Sequence, residues 1–207
     1  YEAVYTRITE EDVSTLKGLD DFSRVGEYYM LAVEPAEQGY NASYIYCDEE
    51  TMYIARDQMK LLEGRLPQKE DEVAVSRYFF SEYAADAGIG EKVMLSSESF
   101  HGEYTVTGIM EGYKEKEVNG SSILLSKEAL KGWSGYDPAD YRAYVHFKNE
   151  QQMDETELTA RSREIAKEYQ LEMPIMNLSY MKFYKQPVNV SMLALVAGIA
   201  VLVIIGG

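Results

Sequence analysis

No charged residue follows Lys185. From Gln186 to Gly207 the chain is uncharged, and from Met192 to Ile205 it is almost wholly apolar. Such a run either crosses the hydrocarbon core of a bilayer, for which ~20 residues suffice, or lies as a helix in a protein core. A long run without one charge favours the bilayer. Residues 186–207 are therefore expected to form a transmembrane helix. Within it Ala194 and Gly198 lie four apart, a pair of small residues that lets another membrane helix pack closely. Lys182 and Lys185 stand on the soluble side, where two lysines beside a large acidic domain carry little weight for topology. Residues 1–185 must build a water-soluble fold without this segment.

That soluble part is read along the chain as alternating short strands and helices. Tyr1 to Ile8 lacks the basic start and apolar core of a signal peptide and reads as a strand or a connecting segment. Thr9-Glu10-Glu11-Asp12 supplies a capping residue and an acidic first turn, and Val13, Leu16 and Leu19 follow at helical spacing. Strands are expected over 22–33, 42–47, 73–76, 92–96, 103–110, 121–125 and 141–148, from period-2 patterns rich in Val, Ile and Tyr. Short helices are expected over 77–85 and from 126 to Lys131. A longer one spans Gln152 to Tyr169, with Leu158, Ser162, Ile165 and Tyr169 on one stripe. Pro174 places the segment 172–178 at a sheet edge. Asp48-Glu49-Glu50 reads as the start of a helix running to Leu62, since the spacing and glycine of a calcium loop are missing.

The junction at the end of that helix is Leu61-Leu62-Glu63-Gly64-Arg65-Leu66-Pro67. Gly64 is read as its terminator, and Pro67 cannot continue it. Arg65 is expected to pair with a local carboxylate or with helix carbonyls rather than to bind a ligand. Glu70 to Glu72 then leads into the apolar strand Val73-Ala74-Val75-Ser76.

This order of residues resembles the extracytoplasmic, MacB-like periplasmic core domain of FtsX-like (MacB-like) ABC transporter permeases. Gly64, Arg65, Pro67, Glu72, Val73, Val75 and Ser76 carry the resemblance, followed by Gly90, Lys92 and Val93. It continues through Tyr104 to Ile109, including Gly108, and through Ile123 to Leu130. Residues 8–25 are also similar. The resemblance covers most of the chain. It implies an α+β, two-lobed fold, in which a porter-like lobe (1–71 with 133–185) carries an inserted β-rich lobe (72–132), followed by the start of a transmembrane helix.

The resemblance further implies a bacterial permease subunit in the plasma membrane, with residues 1–185 on the extracellular side. A separate cytoplasmic ABC ATPase subunit would bind the ATP, a second permease copy would complete the assembly, and the cargo would be peptide- or lipid-like. A membrane-anchored extracellular sensor for a peptide or cell-wall ligand is the alternative. Four N-x-S sequons, at Asn41, Asn119, Asn177 and Asn189, would be glycan acceptors only in a eukaryotic secreted chain.

The residues themselves point to no catalytic set. Twenty Lys and Arg stand against 35 Asp and Glu, a net charge of −15, which excludes a nucleic-acid partner. The single Cys47 and two distant histidines, His101 and His146, give no zinc spacing. No Gly-x-Ser-x-Gly and no phosphate-cradling loop occurs. The expectation is therefore a non-enzymatic chain with no cofactor and no metal. The lone Trp133 sits in a loop, as a lid over apolar surface or as a contact residue.

Overall fold

Ten strands join in one sheet in the computed structural model, which describes residues 1–37, 39–84, 87–112 and 120–184. The expected membrane helix, with Ala194 and Gly198, lies outside the described residues. Among those described, no helix is long and apolar enough to cross a membrane. The strands are β1 (Ala3–Ile8), β2 (Phe22–Pro35), β3 (Asn41–Cys47), β4 (Met59–Gly64), β5 (Glu72–Ser76), β6 (Lys92–Ser96), β7 (His101–Gly112), β8 (Gly120–Leu125), β9 (Tyr141–Phe147) and β10 (Ile175–Met176). Between them run α1 (Glu10–Lys17), α2 (Glu49–Ile54), α3 (Arg77–Tyr83), α4 (Lys127–Gly132), α5 (Glu155–Glu168) and α6 (Leu178–Tyr184). The fold class is α+β, as read from the sequence.

The strand order is β10-β1-β9-β2-β3-β8-β5-β7-β4, with β6 added to β7. β6 pairs with the first part of β7, from His101 to Thr105, and β4 with its second part, from Gly108 to Gly112. The strands of residues 72–125 meet those of the flanking segments at two places, where β4 pairs antiparallel with β7 and where β3 pairs with β8. β3 runs parallel to β8, from the Asn41–Gly120 pair to the Ile45–Leu124 pair.

Period-2 alternation divides the core between the two sheet faces. Ala3, Tyr5, Tyr44, Val73, Val75, Ile123 and Leu125 belong to the larger cluster, with Val13 and Leu16 of α1 and Leu158 and Ile165 of α5. Val4, Ile45, Ala74 and Leu124, their neighbours in sequence, belong to a smaller cluster with Met52 of α2. Each such fully buried aliphatic side chain contributes about 1.5–3 kcal/mol. Helix starts follow the caps read from the sequence. Thr9 and Asp12 form a capping box on α1, and the Asp48 carboxylate accepts from the Thr51 N–H on α2.

One element differs in type. The helix that begins at Asp48 ends at Ile54, and Met59–Gly64 is a strand. The register of β4 against β7 shifts between Leu61 and Glu63, a bulge at Leu62. A bulge breaks the period-2 alternation. Leu61 and Leu62 are both half-buried, and consecutive apolar residues of this kind resemble the end of a helical stripe.

Candidate functional site

The residues Gly64, Arg65, Pro67, Glu72, Val75, Ser76, Gly90 and Gly108 fold into one junction around β4, β5 and β7. Gly64 has φ +76, and a Cβ there would stand 2.2 Å from the Thr107 carbonyl oxygen. Its partner across the ladder, Gly108, is equally tight: a Cβ would lie 2.5 Å from the Arg65 carbonyl oxygen. Two backbones pass here with room for no side chain. The Arg65 N–H donates to Thr107 at 2.9 Å, and the Thr107 hydroxyl donates back to the Arg65 and Val73 carbonyls at 3.3 and 3.2 Å. Gly90 joins the same group through its N–H, 2.8 Å from the Val106 oxygen.

Beyond this crossing the Arg65 guanidinium forks onto the buried Glu72 carboxylate at 2.7 and 2.8 Å. The N–H groups of Gln68 and Lys69 donate to the same carboxylate at 2.9 and 3.3 Å. The loop holding buried Pro67 is thereby folded over one anion. The Arg65 guanidinium, with those two N–H groups, pulls the Glu72 carboxyl down to about 2. Val75 is buried in β5, and Ser76 caps α3, accepting from Phe79 N–H at 3.1 Å and touching Ser121 Oγ at 2.8 Å. The junction is a latch that holds the far end of the sheet. It offers structure rather than a reactive group.

A second cluster lies at the other end of the molecule, and sequence spacing gives no sign of it. Glu2, immediately before β1, is fully buried. Its carboxylate meets Nδ1 of His146 on β9 at 2.9 Å and accepts from the Phe147 N–H at 2.8 Å. Nε2 of His146 is 3.6 Å from Oε1 of Glu150, whose Oε2 accepts from the Tyr180 hydroxyl of α6 at 3.4 Å. One ligand atom from each of Glu2, His146 and Glu150 fits within 4.8 Å of the others. Burial opposes the charged form of Glu2, but the His146 and Glu150 contacts and the Phe147 N–H outweigh it and its pKa is lowered. A cavity of about 130 Å³ opens beside the ring, lined by Tyr1, Tyr53, Ile54, Arg56, Asp57, His146 and Tyr180.

Elsewhere the polar groups tie helices to the sheet. Lys127 Nζ lies 2.6 Å from both Glu10 of α1 and the buried Glu27 of β2. Lys17 reaches Glu27 at 3.8 Å and Asp48 at 3.0 Å. Trp133 stacks on Phe100, with ring centroids 6.1 Å apart, and lies against the larger core as a lid. His101 lies apart from His146, on β7, with Nδ1 3.2 Å from Ser96 Oγ. Cys47 is buried, and desolvation pushes its thiol well above the usual range.

No protein-family model and no curated protein matches the sequence. Solved structures do match. The chain is similar to the extracellular domain of the ABC-type transporter YknZ from Gram-positive bacteria, with a TM-score of 0.57 and 15% identity over 83% of this chain and 96% of that one. It is similar to the periplasmic region of MacB from Actinobacillus actinomycetemcomitans, with a TM-score of 0.56 and 10% identity over 90% and 93%. A domain of a putative permease protein from Porphyromonas gingivalis gives a TM-score of 0.52 and 14% identity over 93% and 94%. This chain has the fold of the extracellular and periplasmic domains of MacB-like and YknZ-type ABC transporter permeases.

Proposed function

We propose that the chain is the extracytoplasmic domain of a permease subunit of a bacterial ABC transporter, with residues 1–185 outside the plasma membrane and 186–207 entering it. The observation that carries this reading is the fold, which matches such domains over nearly their whole length. The uncharged run after Lys185 supplies the membrane segment that the reading requires.

In this reading a cytoplasmic ATPase subunit binds and hydrolyses ATP, and this domain, without a cofactor of its own, moves in response. The lobes in this reading are 1–71 with 133–185 and 72–132; they share the sheet through the β3–β8 and β4–β7 pairings, and the Arg65–Glu72 latch ties the second of these together. A packed sheet is suited to such work, because it transmits rigid-body movement and does not deform continuously. A second permease copy completes the assembly, and the movement expels or acts on a peptide- or lipid-type cargo.

Purification of the tagged full-length protein from its native membranes in mild detergent, with mass spectrometry and an ATPase assay, tests this. The expected result is a co-purifying ATP-binding subunit whose turnover is lost when its phosphate-binding lysine is replaced. Purification with no ATPase partner sinks the proposal.

A further inference from the structure

We propose that His146 and Glu150 form a site for a single divalent transition-metal ion of the zinc class, with the buried Glu2 holding the imidazole in place from behind. The inference is independent of the transporter reading.

A metal-binding imidazole needs one ring nitrogen free to coordinate and the other fixed, and proteins fix it by hydrogen-bonding its N–H to a carboxylate or carbonyl. Glu2 is placed for that task. It is fully buried, reaches Nδ1 of His146 at 2.9 Å, and is itself held by the Phe147 N–H at 2.8 Å. With Nδ1–H donating to Glu2, the ring presents the lone pair of Nε2. Nε2 is the nitrogen that faces Glu150, at 3.6 Å.

The spacing suits an ion. Ligand bonds of ~2.0–2.2 Å in tetrahedral geometry put two donor atoms ~3.4 Å apart. Imidazole nitrogen with carboxylate oxygen is a donor set of the zinc type rather than of the calcium type, which takes oxygen alone. The cavity of about 130 Å³ that His146 lines gives an ion access and leaves room for the water molecules that complete its shell.

The location gives the ion a mechanical consequence. Glu2 immediately precedes β1, His146 is the last residue but one of β9, Glu150 lies in the turn that follows, and Tyr180 of α6 donates to Glu150. Asn177, just before α6, donates its backbone N–H to the Glu2 carbonyl at 2.8 Å and its side-chain amide to the Tyr1 carbonyl at 3.2 Å. An ion on His146 and Glu150 fastens the loop after β9, and α6 through it, to the first strand, where the first residues of the chain meet its last described helix.

The test uses the full-length protein in detergent with its affinity tag removed, stripped with a chelator and equilibrated with Zn²⁺ or Co²⁺. Elemental analysis after desalting should find one zinc per chain, and Co²⁺ should give the visible absorption of a nitrogen–oxygen site. Glu150→Gln and His146→Ala should each reduce uptake to background. Glu2→Gln should weaken affinity roughly 10- to 100-fold, the usual loss on removing an orienting carboxylate. Glu150→Gln decides the matter if His146→Ala does not fold, because Glu150 is a half-buried residue of an exposed turn rather than part of the core. No uptake by the wild-type protein, or undiminished uptake by Glu150→Gln, overturns the site.

Discussion

Replacing Glu72 by glutamine tests whether the Arg65 latch holds the far end of the sheet. The carboxylate accepts two bonds from the Arg65 guanidinium and two from backbone N–H groups. Its pKa falls from 4.5 to about 2 in the folded protein. At about 1.4 kcal/mol per unit, the ceiling on what ionised Glu72 adds to stability is about 3 kcal/mol. The Arg65 side chain is 48% exposed. Solvent and salt therefore screen the pair, which brings the expected contribution to about 1–2 kcal/mol. The sign follows from the depressed pKa: the stabilisation is fully present above the unfolded value near 4.5 and is lost as pH falls towards about 2. Urea unfolding of residues 1–185, followed by Trp133 fluorescence and circular dichroism, measures it. Glu72→Gln should be about 1–2 kcal/mol less stable than wild type near neutral pH, with an unchanged m-value. The gap should shrink below about pH 5 and close near about pH 2. A gap that persists unchanged in acid refutes the electrostatic account, and no gap at neutral pH refutes the latch.

Three further outcomes follow from the same packing. Gly64→Ala should cost roughly 2–4 kcal/mol, because its Cβ meets the Thr107 carbonyl at 2.2 Å in a left-handed backbone, and the urea midpoint reads this directly. Lys127→Met should cost about 1.5–3 kcal/mol, since Glu27 is buried and loses its contact at 2.6 Å while Lys17 stays 3.8 Å away; the loss is measured by the same unfolding curves. Leu158→Ala, at a fully buried position of α5, should cost about 2–5 kcal/mol and lower the thermal midpoint, whereas alanine at the exposed Glu164 should change it little.

Strand and helix types were largely legible, because one-sided burial writes a period into the sequence. Val73-Ala74-Val75 and Tyr141 to Phe147 alternate between the two core clusters, and α5 carries its apolar stripe at Leu158 and Ile165. Met59–Gly64 was misread as helix because a bulge at Leu62 breaks the period that separates the two. Strand order was not legible. β1 lies between β9 and β10, and β3 beside β8, pairings set by packing between segments far apart in the chain. The Arg65–Glu72 pair is seven residues apart across a loop, and such local charge pairs can be guessed. The Glu2–His146–Glu150 cluster cannot. Glu2 is 144 positions from His146. Glu150 is four residues beyond a histidine that sits on a strand, where a rise of ~3.3 Å per residue would carry it ~13 Å away. Only the turn after Phe147 returns it to the ring.

Among the positions that carried the family resemblance, Gly64, Arg65, Glu72 and Gly108 have the least chemical freedom. A core site such as Val145 or Leu158 accepts an apolar side chain of similar volume at little cost. Gly64 and Gly108 are different, since opposed backbones leave neither of them space for a Cβ. Arg65 and Glu72 are different as well, because a fork onto a buried carboxylate that also accepts two backbone N–H groups is met by arginine and not by lysine. At these four positions the backbone and its hydrogen bonds dictate the residue. The same reasoning accounts for the silence of the sequence about His146. A site assembled from three segments by the finished fold leaves no local constraint on any of them.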